Sequence, residues 1–170
     1  MKRIYFIVLF FCISSISLAK DPNVMLSADL GYYIPIGGGS RTYEGNIGFQ
    51  GQIEIRTNDY TGIDFTLGYL PWPGSTKDII SLMIGTRFYW FKKGPTPYTG
   101  LVIGIFSYKN QYYYGGTQSY SKFGFSIFQG ALLPLISNFY YNCNIELTYF
   151  QNIISPYSFI TINTGMSYLF

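Results

Sequence analysis

Chemistry in this chain has to be done without histidine, since its 170 residues contain none. Histidine is the usual general base for serine and cysteine nucleophiles. Its absence removes Ser–His and Cys–His hydrolases, together with every His-containing metal site. Carboxylates remain. Glu54 and Asp64 flank an Asn58-Asp59 turn signal, and a hairpin centred there sets them opposite each other on one face. Arg56 becomes a diagonal neighbour of Asp64, Arg87 approaches from the next segment, and Asp29 and Glu146 share the same parity. Two chemistries fit such a set. One is a coupled acid–base dyad with one partner protonated; the other is an internal network in which buried charges satisfy one another. The expectation is the second: a structural ion-pair network of Asp29, Glu54, Arg56, Asp64, Arg87 and Glu146. No catalytic residue, cofactor or metal is expected.

The remaining candidates are weaker. Cys143 is the only cysteine outside the N-terminal segment that holds Cys12, so it has no intramolecular disulfide partner, and it reads as a small apolar strand residue. Gly37-Gly38-Gly39-Ser40-Arg41 is glycine-rich and carries a cation, but a phosphate cradle needs a helix start behind it. None follows, which leaves an external loop. Basic residues form no patch with nucleic-acid spacing, and no nucleic-acid partner is expected.

The elements that would position these residues follow from composition and alternation. Hydrophobic residues make up 48%, aromatic residues 21% and charged residues only 11%. Soluble domains carry roughly a quarter charged residues, and disordered chains need high charge and few aromatics. Beyond the first twenty residues no apolar run approaches the ~18 or more of a spanning helix. Instead, period two dominates. Ile47, Phe49, Ile53 and Ile55 oppose Gln50, Gln52, Glu54 and Arg56, and the same phase marks segments beginning near Leu26, Ile63 and Ser81. Four more follow with weaker contrast: 98–108, one opening at Phe123, 141–149 and 160–170. Charges on one side exclude a parallel strand buried on both faces.

Residues 1–19 read as a signal peptide: Lys2 and Arg3, the apolar run Ile4 to Ile13, then Ser17-Leu18-Ala19. Residues 20–170 form one domain, nearly neutral once Lys2 and Arg3 are removed. Its connections alternate in length. The long set is Gly37–Asn46, Pro71–Asp78, Lys109–Ser121 and Gln151–Pro156; the short set lies near Asn58-Asp59, Lys92–Pro97 and Pro134–Asn138. Tyr32, Tyr33, Tyr69, Trp72, Trp90, Phe91, Tyr98, Tyr108, Tyr149 and Tyr157 gather near strand ends, where two interfacial belts would lie. The longest connection supplies the candidate ligand-binding loop, with Lys109, Tyr112, Tyr113, Tyr114, Tyr120 and Lys122. Tyrosine mixed with Ser, Gly, Asn and Gln is a binding-loop composition.

The ending Met166-Ser167-Tyr168-Leu169-Phe170, an aromatic terminus behind alternating apolar positions, resembles the C-terminal signature of outer-membrane proteins. With the leader and eight alternating segments, residues 20–170 resemble the small bacterial outer-membrane β-barrels of the OmpA-domain, OmpX and opacity-protein type. The resemblance implies an all-β, eight-stranded antiparallel up-and-down transmembrane barrel in the outer membrane. It further implies Tyr168 and Phe170 as the signal read by the assembly machinery. Lipid, that machinery and an extracellular ligand are the partners it suggests. A non-enzymatic surface barrel with a filled lumen is therefore expected. The competitors are a narrow pore, for which eight strands leave no aqueous channel, and an embedded lipid-modifying enzyme using carboxylates. A soluble barrel of lipocalin type is disfavoured by the many glycines and the absence of lysine on the polar face.

Overall fold

Alternating segments pair into eight antiparallel strands: β1 (Asn23–Ile36), β2 (Asn46–Asn58), β3 (Thr61–Leu70), β4 (Ile79–Tyr89), β5 (Thr96–Gln111), β6 (Thr117–Ile136), β7 (Phe139–Phe150) and β8 (Tyr157–Leu169). The computed structural model describes residues 23–36, 45–71, 78–111, 117–150 and 157–170. The expected signal peptide, the Gly37–Arg41 loop, Trp72 and Tyr112–Tyr114 lie outside them. Each strand pairs with its successor, and β8 closes on β1 from Met25 opposite Leu169 to Ile36 opposite Ser158. An even strand count allows that closure to be antiparallel, so no edge is left along the shared ladders.

The faces are inverted relative to a water-soluble fold. Leu30, Phe49, Leu67, Ile84, Ile103, Ile127, Ile145 and Ile162, one from each strand, point outward and are each about half exposed. Asp29, Glu54, Asp64, Arg87 and Glu146 are buried inside. An apolar surface continuous around a barrel far exceeds the few hundred Å² that a soluble monomer tolerates. Lipid is the solvent that removes this cost. Every strand also meets the roughly 9–11 residues needed to cross a bilayer at a tilt, the shortest having 10.

The structure departs from the alternation reading in boundaries and in one facing. The β2–β3 turn is Asp59-Tyr60, one residue beyond the expected Asn58-Asp59. The turn expected at Pro134–Asn138 is only Ser137-Asn138, because β6 continues to Ile136 and absorbs Pro134 at a register shift, where a missing N–H is tolerated. Ser137 takes a φ of 50° to make this turn. The connection expected from Lys109 to Ser121 is largely strand: Lys109 belongs to β5, and Tyr120 and Lys122 belong to β6. Finally, Tyr33, Tyr98 and Tyr108 do not join the outer belts but turn toward the lumen. Proximity to a strand end does not choose a face; parity does, and these three share the parity of Asp29, Gly100 and Phe106. Tyr32, Tyr69, Trp90, Phe91 and Tyr149 do point outward.

Candidate functional site

Most polar chemistry of the described residues lies inside the barrel. Asn58 starts it by accepting the backbone N–H groups of Tyr60 and Thr61 at 2.8 and 3.0 Å, a side-chain-built turn that fixes the β2–β3 hairpin. Glu54 then stands opposite Asp64. Arg87 reaches between them from β4: its Nε donates to Asp64 Oδ2 at 3.0 Å, Nη2 donates to Gln52 Oε1 at 2.7 Å, and Nη1 lies 3.5 Å from Glu54 Oε2. The guanidinium also sits 4.4 Å from the Tyr98 ring centre and 5.4 Å from that of Phe128, so its flat face is covered as well as its edge. Arg56 stacks on Tyr89 at 4.3 Å and faces Glu54 Oε1 at 3.4 Å. Tyr89 donates its hydroxyl to Glu54 Oε2.

Small residues make this crowding feasible. A Cβ on Gly62 would strike the Glu54 carboxylate, and one on Gly100 would strike the Phe128 ring that shields Arg87.

The six expected network residues divide into two groups. Glu54, Arg56, Asp64 and Arg87 form the ion-paired group. Asp29 and Glu146 have no arginine or lysine within ion-pairing distance among the described residues; neutral amides and a hydroxyl hold them instead. Asn142 Nδ2 donates to both oxygens of Asp29 at 3.1 and 3.0 Å. Glu146 receives Thr148 Oγ1 at 3.1 Å, and Gln50 Nε2 and Asn163 Nδ2 at 3.3 Å each. Two glutamines join the groups, because Gln52 Nε2 donates to Gln50 Oε1 at 3.3 Å. A hydrogen-bonded chain therefore crosses the lumen from Arg87 through Gln52 and Gln50 to Glu146. It is a cross-brace where a pore would need water.

Sequence reasoning passed over Gln50, Gln52, Tyr89, Tyr98 and Asn142. The available signal was parity: Gln50 and Gln52 share the face of Glu54, Asn142 that of Glu146 and Tyr89 that of Arg87. Buried charges need neutral donors as much as counterions. Tyr98 shares only the parity of Gly100. It also passed over the aromatic end of the lumen. Phe106 stacks on Phe150 at 4.6 Å, Phe150 on Phe159 at 6.0 Å, and Tyr33 meets Phe159 edge-on at 6.5 Å. Gly124 leaves the space for this stack.

Of the expected loop residues, Tyr120 stacks with Tyr108 at 5.6 Å, and Lys122 is half-buried on β6. At the other end, Tyr168 packs edge-on against Phe139 at 4.8 Å and Phe170 at 4.7 Å. Phe170 N–H donates to Val24 O at 2.9 Å.

A closed eight-stranded antiparallel barrel, apolar outside and filled with polar contacts inside, is the fold of the small outer-membrane β-barrels. Solved structures agree. Neisserial surface protein A superposes with a TM-score of 0.69 at 13% identity, over 86% of this chain and 97% of that one. The N-terminal barrel domain of Pseudomonas aeruginosa OprF gives 0.61 at 10% identity, over 88% and 100%. Ail, the attachment invasion locus protein of Yersinia pestis, gives 0.57 at 16% identity, over 88% and 97%. No protein-family model matches the chain, and no curated protein matches it in sequence. At these identities the likeness is one of fold.

Proposed function

We propose that this protein is a non-conducting outer-membrane barrel that binds an acidic ligand through the β5–β6 hairpin. One observation carries the reading. β5 and β6 pair with each other as far as Gln111 opposite Thr117, whereas their ladders with β4 and β7 reach only Tyr108 and Gly124. The hairpin is therefore longer than a membrane crossing requires, and extra ordered length needs a reason outside the bilayer. Its sequence from Lys109 to Lys122 combines tyrosines with small polar residues and two lysines, which suits large rigid contact area and attraction of an anion. Ail, of similar fold, has been crystallised with the heparin analogue sucrose octasulfate, so a barrel of this size is able to hold a soluble anionic ligand. The cross-braced lumen supports a role at the surface over transport, and carboxylates already engaged by neighbours support binding over catalysis.

Immobilised heparin is a suitable probe. The intact barrel should be retained and then released by salt. Deletion of residues 112–119 takes away the β6 half of the extension beyond the Tyr108–Tyr120 pair. It should abolish retention while leaving heat-modifiable gel mobility, since the ladder from that pair downward is kept. Retention that survives the deletion moves the site to the Gly37–Asn46 connection. No retention of the intact barrel rejects an acidic ligand of this kind.

A further inference from the structure

The lipid-facing wall carries one polar side chain that its surroundings do not explain. Gln129 on β6 is exposed and faces outward. Phe123, Phe125 and Ile127 share its face toward the loops, and Leu133 and Leu135 share it toward the β6–β7 turn. Among the described residues Gln129 is the one amide or charged side chain at an outward position between the aromatic belts. Thr99 on β5 and Ile145 on β7 stand on either side of it, and no described residue hydrogen-bonds its amide.

Headgroups lie out of its reach. Tyr141, an exposed aromatic at the turn-side end of the wall, pairs with Leu133, four residues along β6 from Gln129. At ~3.3 Å per residue that is about 13 Å along the strand, farther than a glutamine side chain extends. Acyl chains offer neither donor nor acceptor, and a polar group left unsatisfied in hydrocarbon is costly. The wall beside it is also low. Pro97, Thr99, Ala131 and Cys143, outward residues of β5, β6 and β7, are short and half-buried. Small residues of this kind let a second membrane-embedded surface come close.

Symmetry selects the partner. Copies of one barrel enter a membrane in one orientation, so a two-fold axis along the membrane normal sets a residue near the axis against itself at equal depth. A lone charge placed there would repel its copy. A carboxamide carries donors and acceptor together, so two Gln129 amides across the axis satisfy each other.

We infer that the wall centred on Gln129 is an interface between two copies of this chain within the membrane, joined by reciprocal Gln129 hydrogen bonds and close contact over Thr99, Ala131 and Cys143. It is separate from the β5–β6 extension proposed above to bind an acidic ligand, and either can fail without the other.

The test uses the full chain with Cys12→Ser, Cys143→Ala and a dye on Asn138→Cys in the β6–β7 turn, folded into preformed phosphatidylcholine vesicles. Energy transfer between donor- and acceptor-labelled barrels is followed as lipid is added. It should exceed the value calculated for randomly placed barrels and fall as dilution separates the pairs. Gln129→Leu should lower the association constant about tenfold, or ~1.4 kcal/mol. Ala131→Phe should also lower it, by holding the walls apart. Gly51→Phe on β2 points into open space on the far wall and should leave it unchanged. All three alter lipid-facing positions, and heat-modifiable gel mobility confirms that each is folded. Random transfer in the parent overturns the inference. So does parental association of Gln129→Leu, or a loss with Gly51→Phe as large as that with Ala131→Phe.

Discussion

Glu54 lies directly across from Asp64, both toward the lumen, although the turn between their strands leaves only two residues, Asp59 and Tyr60, between paired Asn58 and Thr61. A regular ladder counted back from that turn would set Glu54 against Phe65, one facing the lumen and the other lipid. A register shift between Arg56 and Asn58 removes the conflict by leaving Thr57 as the extra residue. Its hydroxyl is tied to Thr61, 3.1 Å from the carbonyl oxygen and 2.8 Å from the hydroxyl. The β6–β7 turn uses the same device between Pro134 and Ile136.

Deleting Thr57 should accordingly give a regular two-residue hairpin with Glu54 still opposite Asp64, and the variant should keep its heat-modifiable gel mobility. Deleting Phe65 puts its strand out of phase with β4 and should prevent folding. The pair of gel shifts checks both; an unfolded Thr57 deletion would mean the bulge is needed for its own sake.

Arg87 is fully buried and holds two carboxylates. Arg87→Met leaves Asp64 without its ion-pair partner and Glu54 with Arg56 alone, and breaking a buried pair in this way costs about 3–5 kcal/mol. Arg87→Lys should fall well short of rescue, since an ammonium cannot reproduce the fork and the stacking on Tyr98. Glu54→Gln should be milder than either. Urea unfolding in lipid vesicles reads all three, and a parental midpoint for Arg87→Met would mean the cluster adds nothing to stability.

Lys92 and Asp59 provide the control. They meet at 2.7 Å between two turns, both exposed, and water screens such pairs. The Lys92 hydrogen bond holds the Asp59 carboxyl below its usual value. The small stabilisation this brings is present above the unfolded carboxylate pKa and is lost as pH falls through the depressed folded one. Lys92→Ala should match the parent at acid pH and differ barely at neutrality. A large neutral-pH loss in the unfolding midpoint would contradict the screening argument.

Phe170 is exposed on its side chain yet joins the barrel through its backbone N–H to Val24. Phe170→Ala keeps that bond. If the ring is an assembly signal, the variant should refold normally into vesicles in vitro while its outer-membrane level in cells falls severalfold. Normal cellular levels would assign the ring no assembly role.

Strand number and the parity of the first four strands were legible in the sequence because charged residues occupy only one face there. The Glu54–Asp64 pairing additionally needs the Thr57 bulge, since the turn falls at Asp59-Tyr60 and not at the expected Asn58-Asp59. The loop-side lumen was not. On β5, Val102, Phe106 and Tyr108 face inward while Leu101, Ile103 and Ile105 face outward, so both faces are apolar and hydropathy alternation is silent there. The split of the six charged residues was hidden for another reason. Asn142 approaches Asp29 across the β8 strand between them, and Gln50 spans the lumen to Glu146. Neither contact lies within a hairpin, so no turn signal announces it.

The central claim is that the apolar face looks into lipid and the polar face is sealed inside. Nitroxide labels placed singly at Leu101, Val102 and Ile103 in a Cys143→Ser background, with the barrel in vesicles, test it most directly. Labels at 101 and 103 should relax strongly with oxygen, which partitions into lipid, and weakly with a water-soluble nickel chelate; the label at 102 should respond weakly to both. Strong nickel relaxation at 101 and 103 would place that face in water and contradict the account.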